Sequence, residues 1–511
     1  MSDWTAGYTA EIDYTHGYYG ELNPQRLQFA FAYNGLAFPK IGTACELGFG
    51  QGMSVNLHAA ASVVKWWGTD FNPSQTAFAQ DMAQAAGSEA QLYDEAFAEF
   101  SSRTDLPEFD YICLHGIFSW ISDENRQTIV DFVRRKLKAG GVLYISYNTL
   151  PGWSDFAPMR ELMSVYAEAQ GSRGEGVLAR ADKALDFADR LLKTQPAFAR
   201  NLPAVTERLA GLKGQNRNYL AHEYFNRNWE PMYFSQMAHW LEETKLQFAC
   251  SANFLDYVPK VNLTVDQANL LAEVRDPVLV QTMRDFMLNQ RFRKEYWVKG
   301  LRSLPALERL DILRQQRIIL LVSRNEVRTK FATPLGESSL MDSVVLPLLD
   351  QLADHQIKSL GELEQAIVKA DVNFEQVLQA VVVLLHTGQL ELMQSAATVT
   401  ESKKKADKLN AYLMRKARDS GELTYLAAPG TGGAAIVGRF QQLFLLSRAE
   451  GSTHPKEWAQ YVWEILQQQG QVLIKDGKTM DTVEENLAEL VSQATDFAEK
   501  RLPVMQALQL A

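Results

Sequence analysis

The chain has 511 residues, of which 46% are hydrophobic and 22% charged, and its net charge at pH 7 is −10. This length predicts about three folded domains, and the composition excludes collagen-like, low-complexity and disordered proteins. Nucleic-acid affinity depends largely on lysine and arginine against phosphate, so the negative charge argues against a general DNA- or RNA-binding protein.

The cysteines and the apolar runs indicate the compartment. Cys45, Cys113 and Cys250 are too few and too scattered for a disulfide framework or a zinc-binding Cys pair, and no HExxH motif is present. We therefore expect reduced thiols and no metal. The N-terminus has no signal-peptide pattern, and no apolar run approaches the ~20 residues of a membrane helix. These features predict a cytoplasmic protein without membrane insertion.

Strand and helix patterns alternate from Ile41 onward. Strands separated by helices indicate βαβ units and a parallel sheet, which is an α/β fold. The expected strands cover 41–47, 64–69, 90–93, 109–114 and 142–146, and the expected helices cover 53–64, 74–86 and 123–137.

The pattern becomes mainly helical after Trp153. Residues 155–233 are expected to form a helical insertion above the sheet. The helix expected at 234–244 and the apolar stretch 246–249 would return the chain to the sheet edge, and residues 262–315 have a helical pattern.

The C-terminal half has its own patterns. Residues 318–323 and 327–333 are typical of a hairpin, and 342–395 combine three helical patterns with a short strand, as in a winged helix. Residues 396–408 are interpreted as a polar, lysine-bearing linker, and helices are expected at 455–468 and 481–498. The predicted domains are therefore 1–155, 156–300, 301–395 and 396–511.

A glycine-rich motif follows the first predicted strand and precedes a helix. It reads Glu-Leu-Gly-Phe-Gly-Gln-Gly over 46–52, whereas a dinucleotide fingerprint would place its third glycine at 53, which is Met53. Asp70 closes the next strand, 22 residues after Gly48, where a carboxylate can accept hydrogen bonds from both ribose hydroxyls. These residues indicate a nucleoside-bearing ligand.

This combination resembles the class I S-adenosylmethionine-dependent methyltransferases over residues 40–150. The resemblance implies a Rossmann-like methyltransferase core and S-adenosylmethionine as cofactor. It places the glycine loop against the methionine part, Asp70 on the ribose and the segment Asp94-Glu95-Ala96-Phe97 near the adenine. The cofactor-binding residues that it implies are Glu46, Gly48, Gly50, Gly52, Asp70, Asp94 and His115.

Further motifs resemble a narrower group. The segments 219–224 and 231–234 are similar to the methyltransferase regulatory domain, and 115–120 and 147–153 are similar to segments of the same group. The whole resembles the rickettsial protein lysine methyltransferases that modify an outer-membrane protein. This resemblance implies a protein substrate, such as an outer-membrane or surface protein before export.

Methylation of a lysine requires a neutral amine, which an apolar or aromatic channel favours by desolvation. Aromatic rings also stabilise cationic groups. The expected channel walls are Tyr18, Tyr19, Trp120, Tyr147 and Trp153. The candidate catalytic residues are Tyr147, Trp153, His115 and Trp120. Glu223 is expected to form a cap or an ion pair within the insertion.

Three functions remain open at this stage. The first is a methyltransferase that acts on protein lysine; the others are a small-molecule or lipid methyltransferase and a cofactor-binding scaffold without turnover. The sequence lacks the Asn-Pro-Pro-Tyr and Pro-Cys motifs of base methylation. We expect no nucleic-acid partner, and we expect the acidic C-terminal half to act in protein recognition or self-association, with a homodimer as one option.

Overall fold

A computed structural model describes residues 15–171, 176–226, 228–367 and 372–511, so the first fourteen residues of the predicted 1–155 domain lie outside it. Helix α1 (Pro24–Tyr33) begins the described fold, and the Asn23 side chain accepts a hydrogen bond from the Gln25 amide at its N-terminus. Its apolar residues Leu27, Phe29 and Phe31 are fully buried. Helix α1 therefore belongs to the main core.

The next nine elements form the predicted α/β core. Strands β1 to β5 pair in parallel in the order β3-β2-β1-β4-β5, which confirms the Rossmann-like fold. The elements are β1 (Thr43–Leu47), α2 (Met53–Ala61), β2 (Lys65–Asp70), α3 (Pro73–Ala86), β3 (Gln91–Asp94), α4 (Phe97–Ser102), β4 (Phe109–Leu114), α5 (Asp123–Lys136) and β5 (Leu137–Asn148).

The insertion begins directly after β5. It consists of helices that pack on one another through a separate apolar cluster, which includes Trp153, Phe156 and Tyr224. The helices are α6 (Ala157–Gln170), α7 (Val177–Lys193), α8 (Ala197–Asn201), α9 (Ala204–Leu212) and α10 (Arg217–Phe225).

The chain then returns to the sheet twice, not once. Strand β6 lies at the edge as predicted, but β7 lies between it and β5 and pairs antiparallel with both. The helical prediction for 262–315 is therefore wrong at β7. The elements are α11 (Phe234–Leu241), β6 (Leu246–Ser251), α12 (Pro259–Asn262), α13 (Val265–Ala272), α14 (Pro277–Leu288) and β7 (Phe292–Lys299).

The third region has the predicted three helices and short strand. The predicted hairpin is wrong, because β8 pairs with β11 and β12, whereas β9 pairs with β10 across a turn at 334–335. The elements are α15 (Ala306–Gln315), β8 (Arg317–Leu320), β9 (Lys330–Thr333), β10 (Gly336–Ser339), α16 (Asp342–Leu352), β11 (Lys358–Ser359), α17 (Leu360–Ile367), α18 (Phe374–His386) and β12 (Leu390–Met393).

The predicted linker at 396–408 is the first half of a 21-residue helix, α19. Beyond it, helices occur where they were expected, at α21 and α22. Among the described residues, no helix has both the length and the apolarity to cross a membrane. The last elements are α19 (Ala396–Lys416), β13 (Tyr425–Ala428), β14 (Gly433–Ile436), α20 (Arg439–Ala449), α21 (Pro455–Gln468), β15 (Ile474–Lys475), β16 (Lys478–Thr479), α22 (Val483–Asp496) and α23 (Leu502–Ala507).

Helix α19 packs against the α/β core. Leu409 and Leu413 of α19 share one apolar cluster with Leu57 of α2 and Met82 of α3. The Lys405 ammonium donates hydrogen bonds at 2.9 Å to two carbonyl groups at the end of α2. The Lys405 ammonium is hydrogen-bonded to α2, and the apolar face of α19 is covered by the core. This segment is therefore a packed helix and not a solvated linker.

Candidate functional site

A cavity lies at the carboxyl ends of β1, β2 and β4. Ligands of open α/β sheets bind at this edge, where the strand order reverses, and here the reversal lies between β1 and β4. The cavity is lined by three parts of the chain: the N-terminal segment, the sheet edge and the insertion. The site is therefore shared between the core and the insertion.

The glycine motif forms the loop between β1 and α2, and two of its glycines have distinct roles. Gly52 has a φ of +70°, and a Cβ there would lie 2.4 Å from the Ala79 Cβ, so close packing on α3 requires glycine. Gly50 has a φ of +57°, lines the cavity and would place a Cβ no closer than 3.9 Å to the Gln75 side chain. The loop therefore leaves open space for a ligand at Gly50.

Asp70 lies at the end of β2 and lines the cavity. Its Oδ2 accepts a hydrogen bond from the Gly50 amide at 2.8 Å, and its Oδ1 accepts one from the Asn72 amide at 3.0 Å. Burial raises the pKa of Asp70 to about 6, against the opposing effect of these two hydrogen bonds. Each oxygen keeps a further lone pair, so the carboxylate can also accept hydrogen bonds from a ligand.

Glu46 lies on β1 beneath the glycine loop, outside the described lining of the cavity. Its side chain is buried, and its Oε2 has no hydrogen-bond partner among the described residues. Burial, and then the charge of Asp70, raises the pKa of Glu46 to about 8. Unpaired buried acceptors are rare in native proteins. A donor at the loop would satisfy this atom.

His115 follows β4 and lines the cavity. Its ring stacks on Tyr19 with centroids 3.7 Å apart, and its Nδ1 lies 2.8 Å from the Tyr144 hydroxyl. Burial lowers the pKa of His115 to about 3, so the imidazole is neutral at physiological pH. His115 thus forms an uncharged aromatic wall whose orientation is fixed by two tyrosines.

The predicted channel walls separate into two groups. Tyr19 and Trp120 line the cavity. Tyr18 packs instead against His58 and Tyr425, with ring centroids 5.2 and 5.5 Å apart.

Tyr147 and Trp153 are absent from the described cavity lining. Tyr147 is fully buried, and its hydroxyl donates to Glu295 at 3.3 Å. The Trp153 indole donates to the Arg291 carbonyl at 3.0 Å, and its ring lies under the Arg208 guanidinium. The Tyr147 bond joins β5 to β7, and the Trp153 contacts hold the start of the insertion. A catalytic role for Tyr147 or Trp153 stays a prediction without a contact to the cavity.

The residues after β3 contribute to the wall. Asp94 is exposed and absent from the described lining, whereas Glu95, Ala96 and Phe97 line the cavity. The role predicted for Asp94 stays a prediction, and its three successors are the residues in position to contact a ligand there.

The insertion covers the cavity through helix α10 and the residues that follow it. These residues are His222, Glu223, Asn226 and Asn228. The sequence analysis did not assign them to the site. No short-range pattern in the sequence marks these residues, because their place at the cavity depends on how the insertion folds back over the sheet.

The comparisons with known proteins agree with this geometry. Residues 44–141 match the model of a methyltransferase domain, and residues 216–299 match that of a predicted methyltransferase regulatory domain. An uncharacterized protein of Synechocystis is 38% identical over 99% of both chains. An uncharacterized protein of Rickettsia prowazekii is 28% identical over 55% of this chain and 51% of its own length.

Among solved structures, PKMT2 from Rickettsia typhi in complex with AdoHcy is similar to 98% of this chain, with a TM-score of 0.72 and 18% sequence identity. That similarity concerns the fold alone, and it extends over nearly the whole length of both chains. The chain belongs to the class I S-adenosylmethionine-dependent methyltransferases that carry a methyltransferase regulatory domain.

Proposed function

We propose that this protein transfers methyl groups from S-adenosylmethionine to lysine side chains of a protein substrate. The cofactor would lie at the carboxyl edge of the sheet, with Gly48 and Gly50 against its methionine part and Asp70 on its ribose. The lone pairs that Asp70 keeps free at the cavity support this fit, because ribose hydroxyls can donate to them. The open space at Gly50 supports it as well.

The charge of the cavity carries the proposal for the substrate. The described lining contains three carboxylates, Asp70, Glu95 and Glu223, and neither lysine nor arginine. An acidic cavity attracts a cationic amine and repels phosphate or carboxylate groups. This pattern favours a lysine side chain over an anionic lipid headgroup or a nucleic acid.

The aromatic walls suit the same substrate. Tyr19, Phe97 and Trp120 line the cavity, and such rings contact the methylene stem of a lysine and stabilise its charged end. When bound, S-adenosylmethionine supplies a methyl group already activated on a sulfonium. The protein's own task is to align the amine and exclude water.

The test is to incubate the full chain with S-adenosylmethionine that carries a labelled methyl group and with a cell lysate. We expect the label in protein, and in methyllysine after acid hydrolysis. Gly50→Val, which fills the open space at the loop, is the control that loses transfer. Label in small molecules or lipids would instead support the alternative substrates, and absence of transfer by an enzyme that binds the cofactor would support the scaffold.

A further inference from the structure

Glu223 is a carboxylate of the insertion that faces the cavity. It lies on α10, and its neighbour Tyr224 points the other way, into the cluster that contains Trp153 and Phe156. Tyr224 is buried, whereas Glu223 is half-buried and lines the cavity. Helix α10 thus carries Tyr224, which packs into the insertion, directly next to Glu223, which lines the cavity.

Arg160 fixes the end of α10. Its side chain is buried, and its guanidinium donates to the backbone carbonyls of Glu223 at 3.3 Å and Asn226 at 3.0 Å. The same guanidinium lies 4.3 Å from the ring centroid of Trp229. A cation at the C-terminal end of a helix is favourable, because the free carbonyls there carry partial negative charge. The carboxylate of Glu223 is therefore presented from a rigid support.

The two other carboxylates of the cavity have partners of their own. Asp70 accepts the amides of Gly50 and Asn72. Glu95 accepts from the Arg103 guanidinium at 2.6 Å. Among the described residues, no hydrogen bond or ion pair engages the Glu223 carboxylate. Glu223 thus differs from Asp70 and Glu95 in that neither of its oxygens is engaged by another described residue.

We infer that Glu223 binds the ammonium group of the incoming lysine and removes its proton before methyl transfer. This inference rests on the proposed function. The ammonium N–H bond breaks, and its proton passes to the Glu223 carboxylate. The freed lone pair on nitrogen forms the new C–N bond with the methyl carbon as the C–S bond of the donor breaks, and that electron pair remains on sulfur. The proton on Glu223 then returns to solvent.

The acid–base properties of the site support this role. Burial raises the pKa of Glu223 to about 7, against the opposing charge of Arg160. A carboxylate titrating near neutral pH is a better proton acceptor than one with an ordinary pKa near 4.3. His115, whose pKa burial lowers to about 3, is a much weaker base.

The experiment compares Glu223→Gln with Glu161→Gln in the full chain. Glu161 is exposed on α6 beside Arg160 and is absent from the described cavity lining, so its variant removes a nearby negative charge without touching the cavity. The methyl acceptor is N-acetyl-lysine amide, or a protein that becomes labelled in the lysate experiment. Glu223→Gln should lower the transfer rate at pH 7 by about 100-fold or more. Glu161→Gln should remain close to wild type.

Two further readouts separate this role from a structural one. Affinity for S-adenosylmethionine should be unchanged in Glu223→Gln. At pH 7 the infrared carbonyl band of protonated carboxyls should be smaller in Glu223→Gln than in the wild type and unchanged in Glu161→Gln, because Glu46 and Asp285, whose pKa values burial raises to about 8 and about 7, contribute to the band in every variant.

Glu223→Asp, which keeps the charge, should recover part of the rate and decides the matter if the glutamine variant does not fold. A wild-type rate in Glu223→Gln, or loss of rate with an infrared band as large as that of the wild type, would overturn the inference. If the wild type itself transfers no methyl group to amines, the proposed function fails instead.

Discussion

Replacing Asp70 by Asn tests the cofactor site most directly. The carboxylate receives the Gly50 and Asn72 amides at 2.8 and 3.0 Å, and the remaining lone pairs face the cavity. The Asn amide nitrogen is a donor, so it would meet one of these two donors and could not accept from a ligand hydroxyl. The substitution therefore affects both the loop and the ligand.

The size of the effect follows from hydrogen bonds to a charged acceptor. Each contributes about 1.5–3 kcal/mol, and losing the pair of contacts to ribose should cost on the order of 2–4 kcal/mol. This corresponds to a dissociation constant for S-adenosylmethionine that is about 30- to 1000-fold higher. Isothermal titration calorimetry at pH 7.5 would measure it.

Asp81→Asn is the matched control. Asp81 lies on the neighbouring helix α3 and is exposed, and the described lining of the cavity does not include it. Its variant should bind the cofactor as the wild type does. Wild-type affinity in Asp70→Asn, or an equal loss in Asp81→Asn, would refute the assignment of the ribose contact to Asp70.

The pKa of Asp70 adds a pH test of the same site. Burial raises this pKa to about 6, so the carboxyl is charged at pH 7.5 and mostly protonated at pH 5. Because the charged form is the better acceptor, affinity should fall by about tenfold between pH 7.5 and pH 5. Asp70→Asn should lack this fall, and a parallel fall in the variant would assign it to another group.

Three further predictions concern stability, measured by urea unfolding. Gly52→Ala should lower the free energy of unfolding by about 2–5 kcal/mol, because the residue has a φ of +70° and its Cβ would clash with α3. Gly140→Ala has open space around its Cβ and should lower this free energy by only about 1–2 kcal/mol. Leu409→Asp should destabilise by about 3–5 kcal/mol because it places a charge in the cluster between α19 and the core, and exposed Lys404→Asp should not. Burial raises the pKa of Glu46 from 4.5 to about 8, so wild-type stability should decline as pH rises through this range, and Glu46→Gln should show less of that decline.

The sequence predicts best those parts of the site whose residues lie close together in the chain. The strand before Gly48, the helix after Gly52 and the carboxylate at Asp70 are each encoded within a few residues, and all lie where they were expected. The cavity's cover is different, because α10 is more than a hundred residues away from the loop in the chain. Its contribution depends on how the insertion folds back, and no short-range pattern specifies that.

Strand β7 was missed for a chemical reason. Its inward-facing Arg293 and Glu295 resemble surface residues in the sequence, yet both are buried and form an ion pair with each other. Asp285 of α14 joins them, and burial raises its pKa to about 7. Charged residues that neutralise one another inside a protein remove the apolar alternation by which strands are recognised.

Helix α2 illustrates a signal that the sequence did contain. All nine of its residues are buried, and a helix without a polar face must be covered on every side. The sheet covers one side, and α19 with the β13–β14 hairpin covers another. The composition of α2 thus requires a second layer, and the residues interpreted as a linker supply it. The C-terminal region therefore completes the core of the methyltransferase fold, whatever its further role in recognition.

The way in which the insertion joins the sheet sets the shape of the site. The chain leaves the sheet at the end of β5 and returns first through β6 and then through β7, which pairs with β5 along seven residues. At that exit, the amides of Thr149 and Gly152 donate to the carbonyls of Arg291 and Gln290 at 2.9 and 3.0 Å, and the Trp153 indole shares the Arg291 carbonyl. The start of the insertion is therefore tied to the residues that lead into β7. Trp153 also packs against Tyr224 of α10. These hydrogen bonds therefore fix the position of α10, and of Glu223 on it, relative to the edge of the sheet.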